Sequence, residues 1–561
     1  MSIRTVVILR RISQVVFFAI FFWLILKTNF EVDLSPDSAG QITLPYPVSI
    51  ALQLDPLVAL VNLLANATLY AGLAWALVVL IPTIFMGRFF CGWVCPLGSL
   101  NHWVSEIRSE RRSRRGKNKI ESNRYRPYQK IKYYVLFFVL GAALTGSLLA
   151  GLLDPLPLLA RSLGTVVLPT IHTAALGTVD WVKSWGFPPF GDAAQFVYDL
   201  IAPILLNFRQ MHFHAIFSIG IVFLLVIVLN RWFTRFWCRG ICPLGALLGL
   251  FSRFSIFGLE KNKTACDNCN VCLLHCQGAD NPDVGKPWRQ AECVLCLNCQ
   301  NSCPHGALKF KFFPKRESEE DNPGPIDKID VSKRKTTAAV VGGLAAVPLL
   351  RSTDIFEANF NPNLIRPPGA VQESDFLSRC IRCGQCMRVC PNNALHPTLW
   401  EAGVEGLWTP YMIPRVGYCE PTCTLCGEVC PTGAIVHLTH DQKVGTKEQP
   451  PVQMGTAFVD RGSCLPWAMA TPCIVCEEWC PTTPKAIYLE ETTVTGRNGN
   501  EIAVKRPVVD PNECTGCGAC EFACPIVGKA AIRVTAAGES RDPEHQFMLD
   551  KHRRRKRPST T

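Results

Sequence analysis

Two common cofactor signatures are missing from this 561-residue sequence. It contains no Cys-x-x-Cys-His motif, so haem attached through that motif is excluded. It contains no glycine-rich nucleotide fingerprint, so neither a flavin nor a nicotinamide is indicated. A disulfide framework belongs to short secreted chains, whereas this chain is long and apolar. None of its 28 cysteines lies outside a metal-type motif, and the chemistry is therefore sought in those motifs.

Twenty-four of the cysteines form six groups of four, which we call quartets. Four quartets follow the C-x2-C-x2-C-x3-C spacing, and two stretch the first gap. The regular quartets are Cys266, Cys269, Cys272, Cys276; Cys293, Cys296, Cys299, Cys303; Cys380, Cys383, Cys386, Cys390; and Cys514, Cys517, Cys520, Cys524. The stretched quartets are Cys419, Cys423, Cys426, Cys430 and Cys464, Cys473, Cys476, Cys480. This spacing suits a cube better than zinc or disulfides, and it predicts six [4Fe–4S] clusters.

In such sequences three cysteines bind one cube and the fourth binds a neighbouring cube. For the first two quartets we expect a local exchange, in which Cys303 joins the Cys266 site and Cys276 joins the Cys293 site. The later quartets could pair sequentially or in a nested order. Because the two regular ones are outermost, we expect nesting: Cys524 joins the Cys380 site, Cys390 the Cys514 site, Cys430 the Cys473 site and Cys480 the Cys423 site.

Four nearly uncharged segments lie in the first 260 residues: Ile12–Leu26, Leu69–Met86, Tyr133–Leu153 and Phe213–Leu229. With their flanks they reach the length that crosses a bilayer, about 20 residues. Each could be a buried core helix, but four together predict a membrane domain. Ile12–Leu26 follows basic residues without a small-residue cleavage site, which indicates an uncleaved anchor.

The positive charge is concentrated in two places. Residues 108–132 contain 11 Lys and Arg, and the tail from Lys551 to Arg557 contains six more. The first run lies between two predicted spans, where a short basic loop marks the cytoplasmic side. A nucleic-acid partner is therefore not expected.

An internal repeat links two cysteine pairs. Arg88-Phe-Phe-Cys91-Gly-Trp-Val-Cys95-Pro matches Arg235-Phe-Trp-Cys238-Arg-Gly-Ile-Cys242-Pro, and Leu54-Asp-Pro-Leu57 is echoed by Leu153-Asp-Pro-Leu156. Parallel duplications of this kind occur in membrane proteins. We expect the four cysteines to converge near the cytoplasmic side, with Arg88 and Arg235 beside them. They could form a seventh iron–sulfur centre, two redox-active disulfides or a copper site, or could simply pack in turns.

Asp55 and Asp154 are candidate quinol-site residues, because acids at membrane depth are costly and usually functional. The alternative is that each caps a short helix within an Asp-Pro turn. His172, His212 and His214 could bind haem or contact quinol, although histidines at span ends are usually interfacial.

A charged linker, Pro314–Pro325, leads to Lys333-Arg334-Lys335 and the weakly apolar stretch Thr336–Leu350. A basic pair before such a stretch is similar to a twin-arginine export signal. Here Lys-Arg replaces Arg-Arg, and an amphipathic or buried helix is the alternative.

Taken together, these motifs resemble two known families. Residues 1–325 resemble the NapH/MauN-type membrane quinol-dehydrogenase ferredoxins. Residues 326–561 resemble the exported NapG/MauM-type ferredoxins, with Arg366-Pro-Pro-Gly369, Cys380-Ile-Arg-Cys-Gly-Gln-Cys386 and Arg461-Gly-Ser-Cys464-Leu-Pro466. The departures are the fusion into one chain, the imperfect arginine pair and the basic tail.

The predicted architecture is an α-helical membrane domain of about four spans plus short half-helices, joined to α+β ferredoxin-like modules. We expect a transmembrane domain at 1–258, a two-cluster module at 259–325, a linker at 326–355 and a four-cluster domain at 356–561. The protein would lie in a bacterial inner membrane, with residues 259–325 cytoplasmic and the four-cluster domain periplasmic.

The resemblance implies a quinol dehydrogenase-type protein. It would pass electrons from the quinone pool to a periplasmic reductase or c-type cytochrome, with other membrane subunits as possible partners. The alternatives are an assembly factor that reduces copper or sulfur for a metalloenzyme, and an electron-wire subunit without its own quinone site.

Overall fold

The computed structural model describes residues 2–28, 31–32, 42–44, 49–67, 70–111, 116–205, 211–230, 232–314, 331–352, 361–446, 449–495, 501–542 and 545. Most of the linker 314–325 and the basic tail Lys551–Arg557 lie outside these residues.

The first part of the chain is helical, and we call residues 2–252 the helical domain. Its helices are α1 (Ile3–Lys27), α2 (Ile50–Gln53), α3 (Pro56–Asn66), α4 (Leu77–Met86), α5 (Phe89–Trp93), α6 (Pro96–Arg111), α7 (Gly116–Asn123), α8 (Ile131–Leu144), α9 (Ala150–Leu153), α10 (Pro155–Arg161), α11 (Leu168–Lys183), α12 (Pro188–Leu205), α13 (Ile216–Leu229), α14 (Phe236–Gly240) and α15 (Pro243–Ser252). A π-helical turn, Ser162–Val167, makes α10 and α11 continuous. Two short strands, β1 (Glu31–Val32) and β2 (Ile42–Thr43), form an antiparallel pair.

The remaining chain consists of short helices and two-stranded antiparallel sheets. Its elements are β3 (Phe257–Lys261), α16 (Val271–Leu274), α17 (Asn298–Ser302), β4 (Leu308–Phe312), α18 (Lys333–Ser352), α19 (Glu373–Arg379), α20 (Gln385–Arg388), β5 (Leu395–Pro397), β6 (Pro410–Met412), α21 (Leu425–Glu428), α22 (His440–Val444), β7 (Thr456–Val459), α23 (Leu465–Ala468), α24 (Val475–Glu478), β8 (Ile487–Thr495), β9 (Glu501–Val509), α25 (Ala519–Ala523) and β10 (Ile532–Thr535). The described pairs are β3–β4, β5–β6, β7–β10 and β8–β9. We call residues 257–312 the two-quartet module and residues 361–545 the four-quartet module.

Two described helices have the length and apolar composition needed to cross a membrane, Ile3–Lys27 and the continuous Pro155–Lys183. The first contains the predicted segment Ile12–Leu26. The second was not predicted, because Arg161 and three prolines interrupt its apolar sequence.

The other predicted spans differ from single long helices. Tyr133–Leu153 is wrong as one span, because α8 ends at Leu144 and Gly146 takes a left-handed conformation (φ 78°) that stops the helix. Leu69 lies outside the described residues, and the stretch after it is a 3₁₀ helix, Ala71–Ala76, followed by α4. Phe213–Leu229 contains the 14-residue helix α13.

Helices α8 and α18 pack closely and run in the same direction. Near their first residues, Ser332 N donates to Tyr134 Oη at 3.3 Å, and near their last residues Arg351 Nη2 donates to the Gly146 carbonyl at 3.4 Å. A Cβ added to Gly343 would lie 2.1 Å from the Phe138 carbonyl oxygen. The two backbones can approach this closely only because small residues lie at the crossing, as is common between membrane helices.

Candidate metal centres

The two quartets of the two-quartet module exchange their fourth cysteines, as predicted. A cavity of about 400 Å³ is lined by Cys266, Cys269, Cys272 and Cys303. The thiols of Cys276, Cys293, Cys296 and Cys299 form the second group and interact electrostatically. Asp280 lies beside them, and its Oδ1 accepts a hydrogen bond from Cys276 Sγ at 2.7 Å.

The four-quartet module has a different arrangement from the nested one that we expected. Three cavities of similar size are each lined by four cysteines: about 360 Å³ at Cys380, Cys383, Cys386 and Cys430; about 390 Å³ at Cys390, Cys419, Cys423 and Cys426; and about 380 Å³ at Cys464, Cys473, Cys476 and Cys524. The thiols of Cys480, Cys514, Cys517 and Cys520 interact as the fourth group.

Nesting is therefore wrong, and the quartets pair sequentially with exchange of the fourth cysteine. The physical reason is loop closure, because bringing neighbouring quartets together closes shorter loops than joining the first quartet to the last. The hairpin β5–β6 lies between Cys390 and Cys419 and brings them to one cavity. Two distant quartets can have the same cysteine spacing without being brought together by the chain between them.

The four regular quartets share one backbone conformation. In each quartet, the residues directly before and after the second cysteine have positive φ. These residues are Asn268 and Asn270, Leu295 and Leu297, Arg382 and Gly384, and Gly516 and Gly518. Left-handed leucine and arginine are strained by about 1–3 kcal/mol each, so the surrounding structure must stabilise them. The repeated loop curves around each cavity and directs its three cysteines inward.

The donor set fits an iron–sulfur cube. Burial raises the pKa of the thiols of Cys383, Cys423 and Cys476 to about 12, so free thiolates would be costly there without positive charge. Backbone N–H groups donate to the sulfur atoms, for example Ala394 N to Cys390 Sγ at 3.3 Å. Such hydrogen bonds stabilise cluster thiolates and set their potentials.

The repeated cysteine pairs of the helical domain converge, as predicted. Electrostatic interactions connect Cys91, Cys95, Cys238 and Cys242. We call these four residues the repeat site. Cys91 and Cys238 lie in the short helices α5 and α14, and Cys95 and Cys242 immediately precede the prolines that begin α6 and α15.

Hydrogen-bond donors surround the repeat site. Gly98 N donates to Cys95 Sγ at 3.4 Å, and Gly245 N donates to Cys242 Sγ at 3.2 Å. Asn101 Nδ2 lies 3.5 Å from Cys238 Sγ. The two backbone contacts are equivalent in the repeat, so each half of the helical domain contributes one matching N–H···S contact.

Arg88 and Arg235 lie where the repeat predicted them. Both side chains are buried. Arg88 Nη2 lies 3.9 Å from Cys91 Sγ, and Arg235 Nη1 donates to the Cys91 carbonyl at 3.2 Å. Two guanidinium groups next to four sulfurs can offset the negative charge of thiolates.

A buried ion pair that the sequence analysis missed connects the helical domain to the two-quartet module. Lys132 Nζ contacts Glu292 Oε2, and Tyr133 Oη donates to the other carboxylate oxygen at 2.9 Å. Glu292 directly precedes Cys293 and also lies 3.8 Å from Arg88. The signal in the sequence was Lys132 at the edge of an apolar segment, where a charge needs a partner.

Both modules contact the helical domain through the same part of a C-x-x-C loop. In the two-quartet module this loop contains Val294 and Leu295. A Cβ added to Gly92 would lie 2.1 Å from the Val294 carbonyl oxygen, and Trp93 Nε1 donates to the Leu295 carbonyl at 3.0 Å. The loop therefore lies directly on α5, one residue from Cys91.

In the four-quartet module the equivalent loop contains Ile381 and Arg382. A Cβ added to Gly151 would lie 2.5 Å from the Ile381 carbonyl oxygen, and Arg161 Nη1 donates to the Arg382 carbonyl at 2.8 Å. The Arg161 guanidinium also stacks on Trp408, 4.4 Å from the ring centre. Neither glycine was singled out by the sequence analysis, because its role depends on a distant loop.

The structure brings the two predicted aspartates together, whereas the three predicted histidines make different contacts. Asp55 and Asp154 are buried together in the helical domain and cap α3 and α10. His172 Nε2 lies 3.1 Å from Tyr198 Oη, and the ring of His214 lies 5.1 Å from that of His396. The His212 side chain is not part of a described hydrogen bond, but its carbonyl accepts from Asn393 Nδ2 at 2.6 Å.

Three sequence families described as 4Fe–4S binding domain match the chain. One matches residues 68–115 and 212–261, another residues 376–396 and a third residues 505–526. The ranges 68–115 and 212–261 contain the four cysteines of the repeat site but no complete quartet.

The methylamine utilization ferredoxin-type protein MauM of Methylorubrum extorquens is 38% identical over 201 residues, which are 35% of this chain and 80% of that protein. The ferredoxin-type protein NapG of Escherichia coli is 36% identical over 197 residues, 34% of this chain and 79% of that protein. The chain belongs to the ferredoxin-type MauM/NapG family. No solved structure matches it.

The family membership makes the chain an iron–sulfur protein of the ferredoxin type. It applies to about one third of the sequence. The similarity of residues 1–325 to NapH/MauN-type proteins stays a prediction, as do the four domain boundaries.

Proposed function

We propose that the chain is a membrane-anchored electron-transfer protein that takes electrons from quinol and passes them through its iron–sulfur centres to a redox partner on the outer side. Six quartets would hold six [4Fe–4S] clusters, and the repeat site would hold a seventh centre. The proposal rests chiefly on one observation: the two ferredoxin modules contact opposite ends of the same apolar helix, α1.

The contacts at the two ends of α1 are specific. Near its beginning, Arg10 Nη1 donates to Gln277 Oε1 of the two-quartet module at 3.4 Å. At its end, the Ile25 carbonyl accepts from Arg388 Nε of the four-quartet module at 2.8 Å, and Thr28 Oγ1 donates to Gln385 Oε1 at 3.0 Å. Fifteen residues of helix separate Arg10 from Ile25, a rise of about 22 Å. The whole of α1, 25 residues, is about 37 Å long and can cross a bilayer core of about 30 Å, with one module towards each end.

The charge distribution supports one orientation. The basic residues Lys333–Lys335 begin α18, and the last, described part of the other basic run, Arg124 to Lys132, leads into α8. Since these helices run in the same direction, both basic segments are at the same end. By the positive-inside rule this end would be cytoplasmic, together with the two-quartet module. The four-quartet module would then be periplasmic.

The repeat site provides a centre between the modules. It lies in the same apolar core as Cys296 of one module and Cys383 of the other. The match of residues 68–115 and 212–261 to a 4Fe–4S binding domain favours iron and sulfide there over copper or a disulfide. The clusters would supply one-electron transfer, and the chain's own residues fix their spacing, burial and hydrogen bonds.

Reduction by a quinol tests the proposal directly. The full chain, purified anaerobically in detergent, is mixed with menadiol, a soluble quinol, and the visible absorbance of the clusters is followed. We expect bleaching that is coupled to menadione formation. If dithionite reduces the clusters but menadiol does not, the quinol part of the proposal is wrong and the electron-wire alternative is favoured.

A further inference from the structure

The internal repeat brings its two aspartates together. Asp55 and Asp154 each precede a proline and begin a helix of the helical domain. Leu57 N donates to Asp55 Oδ1 at 2.9 Å, and Leu156 N donates to Asp154 Oδ1 at 3.3 Å. The two halves of the repeat therefore use equivalent acids in equivalent caps. This much would satisfy the capping interpretation alone.

Capping uses only the Oδ1 atom of each aspartate and leaves the two Oδ2 atoms unexplained. Both side chains are completely buried, and the two carboxyl groups lie close enough to interact with each other. Neither Asp55 Oδ2 nor Asp154 Oδ2 accepts a hydrogen bond from a donor among the described residues. Within that part of the chain, no Lys, Arg or His side chain acts on either carboxyl.

This arrangement needs a proton. Two carboxylates this close cannot both be ionised in a buried site that no basic side chain reaches, because like charges repel. Each buried second oxygen also lacks a hydrogen-bond donor, which a protonated partner carboxyl would supply. One proton shared by the two acids satisfies both requirements and leaves a single negative charge.

Helix α10 connects the pair to two candidate redox centres. Helix α10 begins at Asp154 and ends at Arg161, which donates to the C-x-x-C loop of the Cys380 site. The same helix packs on α6, which begins directly after Cys95 of the repeat site. An electron on either centre would add negative charge near a site that already carries one.

We propose that Asp55 and Asp154 form a proton-sharing pair whose protonation is coupled to reduction of the neighbouring iron–sulfur centre. When one electron converts a ferric iron of that centre to ferrous iron, the ionised carboxylate takes one proton from solvent water. When the electron leaves, the same proton is released. Charge in the buried region is thus unchanged over the cycle. The setting rests on the proposed electron path, but the test below requires no quinol.

Infrared difference spectroscopy on the full chain tests the pair. The spectrum reduced with dithionite minus the oxidised spectrum is recorded in H₂O and in D₂O. We expect wild type to gain carbonyl-stretch intensity of a protonated carboxyl, with a shift in D₂O. Asp55→Asn and Asp154→Asn should each lose this signal, because one partner of the pair is gone. Asparagine is also a good helix cap, so a purely capping role predicts that the spectrum stays as in wild type.

Two controls make the outcome decisive. Asp180→Asn changes an exposed aspartate of α11 and should keep the wild-type signal. Cluster absorbance reports whether each variant folds, and if one single variant loses its clusters, the other carries the test. Absence of the signal in wild type, or its persistence in both single variants, overturns the inference. Failure of menadiol reduction with the signal intact would refute quinol oxidation but not the proton-sharing pair.

Discussion

The two ferredoxin modules contact the helical domain in the same way but differ in what lies beyond the contact. In each, one carbonyl of a C-x-x-C loop packs on a glycine and the next accepts a side-chain N–H. Beyond it, the two-quartet module has one more site, whose Cys269 is exposed. The four-quartet module has three more sites, and their cysteines are buried or half-buried. The two-quartet module thus has an exposed cluster site next to the one at the contact, whereas the four-quartet module continues with a series of three further sites.

The similarity of the contacts suggests that the helical domain connects to both electron-carrying modules in an equivalent way. The difference beyond them suggests that the two modules serve different partners.

The largest effect is expected from removing the connection. Cys91→Ser with Cys238→Ser takes one thiolate from each half of the repeat site. Iron content should fall from about 28 to about 24 atoms per chain if the site holds a cube, because each cube contributes four. In sealed vesicles that expose the four-quartet module, external dithionite should reduce the far module in wild type but not in this variant. Retention of both iron and transfer would exclude a redox role for the repeat site.

The next effect separates the two contacts. Gly92→Ala should disturb the two-quartet module, and Gly151→Ala the four-quartet module, since each new Cβ overlaps a backbone oxygen. Overpacking of this kind costs about 1–3 kcal/mol. Electron transfer to the affected module alone should slow, as measured by cluster bleaching in rapid mixing. Gly177→Ala is the matched control, because nothing lies within 4 Å of its added Cβ. Equal slowing of both modules by either variant would contradict independent contacts.

A smaller effect is expected at the helix that leads from one module to the other. Gly343→Ala should destabilise the α8–α18 packing by about 1–3 kcal/mol, because the added Cβ would overlap the Phe138 carbonyl. Gly342→Ala is an adjacent control whose nearest atoms lie at an ordinary 3.8 Å. Thermal loss of cluster absorbance should occur earlier for Gly343→Ala only. Identical behaviour of the two variants would show that the close crossing contributes little to stability.

These contacts also show what the sequence could and could not reveal. Quartet spacing predicted which residues line the cavities, and the repeat predicted that Cys91, Cys95, Cys238 and Cys242 converge, because both are local patterns. The nested pairing was wrong, since spacing carries no information about which quartets become neighbours. Gly92 and Gly151 could not be recognised, because a glycine needed for a distant carbonyl has no local signature. The helix Pro155–Lys183 was missed because prolines and Arg161 hide its continuity.

The smallest effect concerns acid stability of the four-quartet module alone. Burial by itself would raise the pKa of Glu373, but the charges and hydrogen bonds of Arg366 and Arg541 outweigh it and hold the pKa at about 2. Arg366 Nη2 lies 2.5 Å from Glu373 Oε1, and Arg541 Nη1 lies 2.9 Å from Oε2. The folded pKa is below the usual value of 4.5, so the stabilisation is fully present above pH 4.5 and is lost as the pH falls towards 2. It amounts to about 3 kcal/mol at most.

Glu373→Gln should therefore weaken the module at pH 7 and match wild type near pH 2. Guanidinium titrations at several pH values, read by the circular dichroism of the backbone because acid destroys the clusters, measure the difference. The two-quartet module lacks Glu373 and its two arginines, so its transition in the same samples is the internal reference and should not change. A constant difference between variant and wild type from pH 7 to pH 2 would show that packing, rather than the charge of Glu373, stabilises this part of the module.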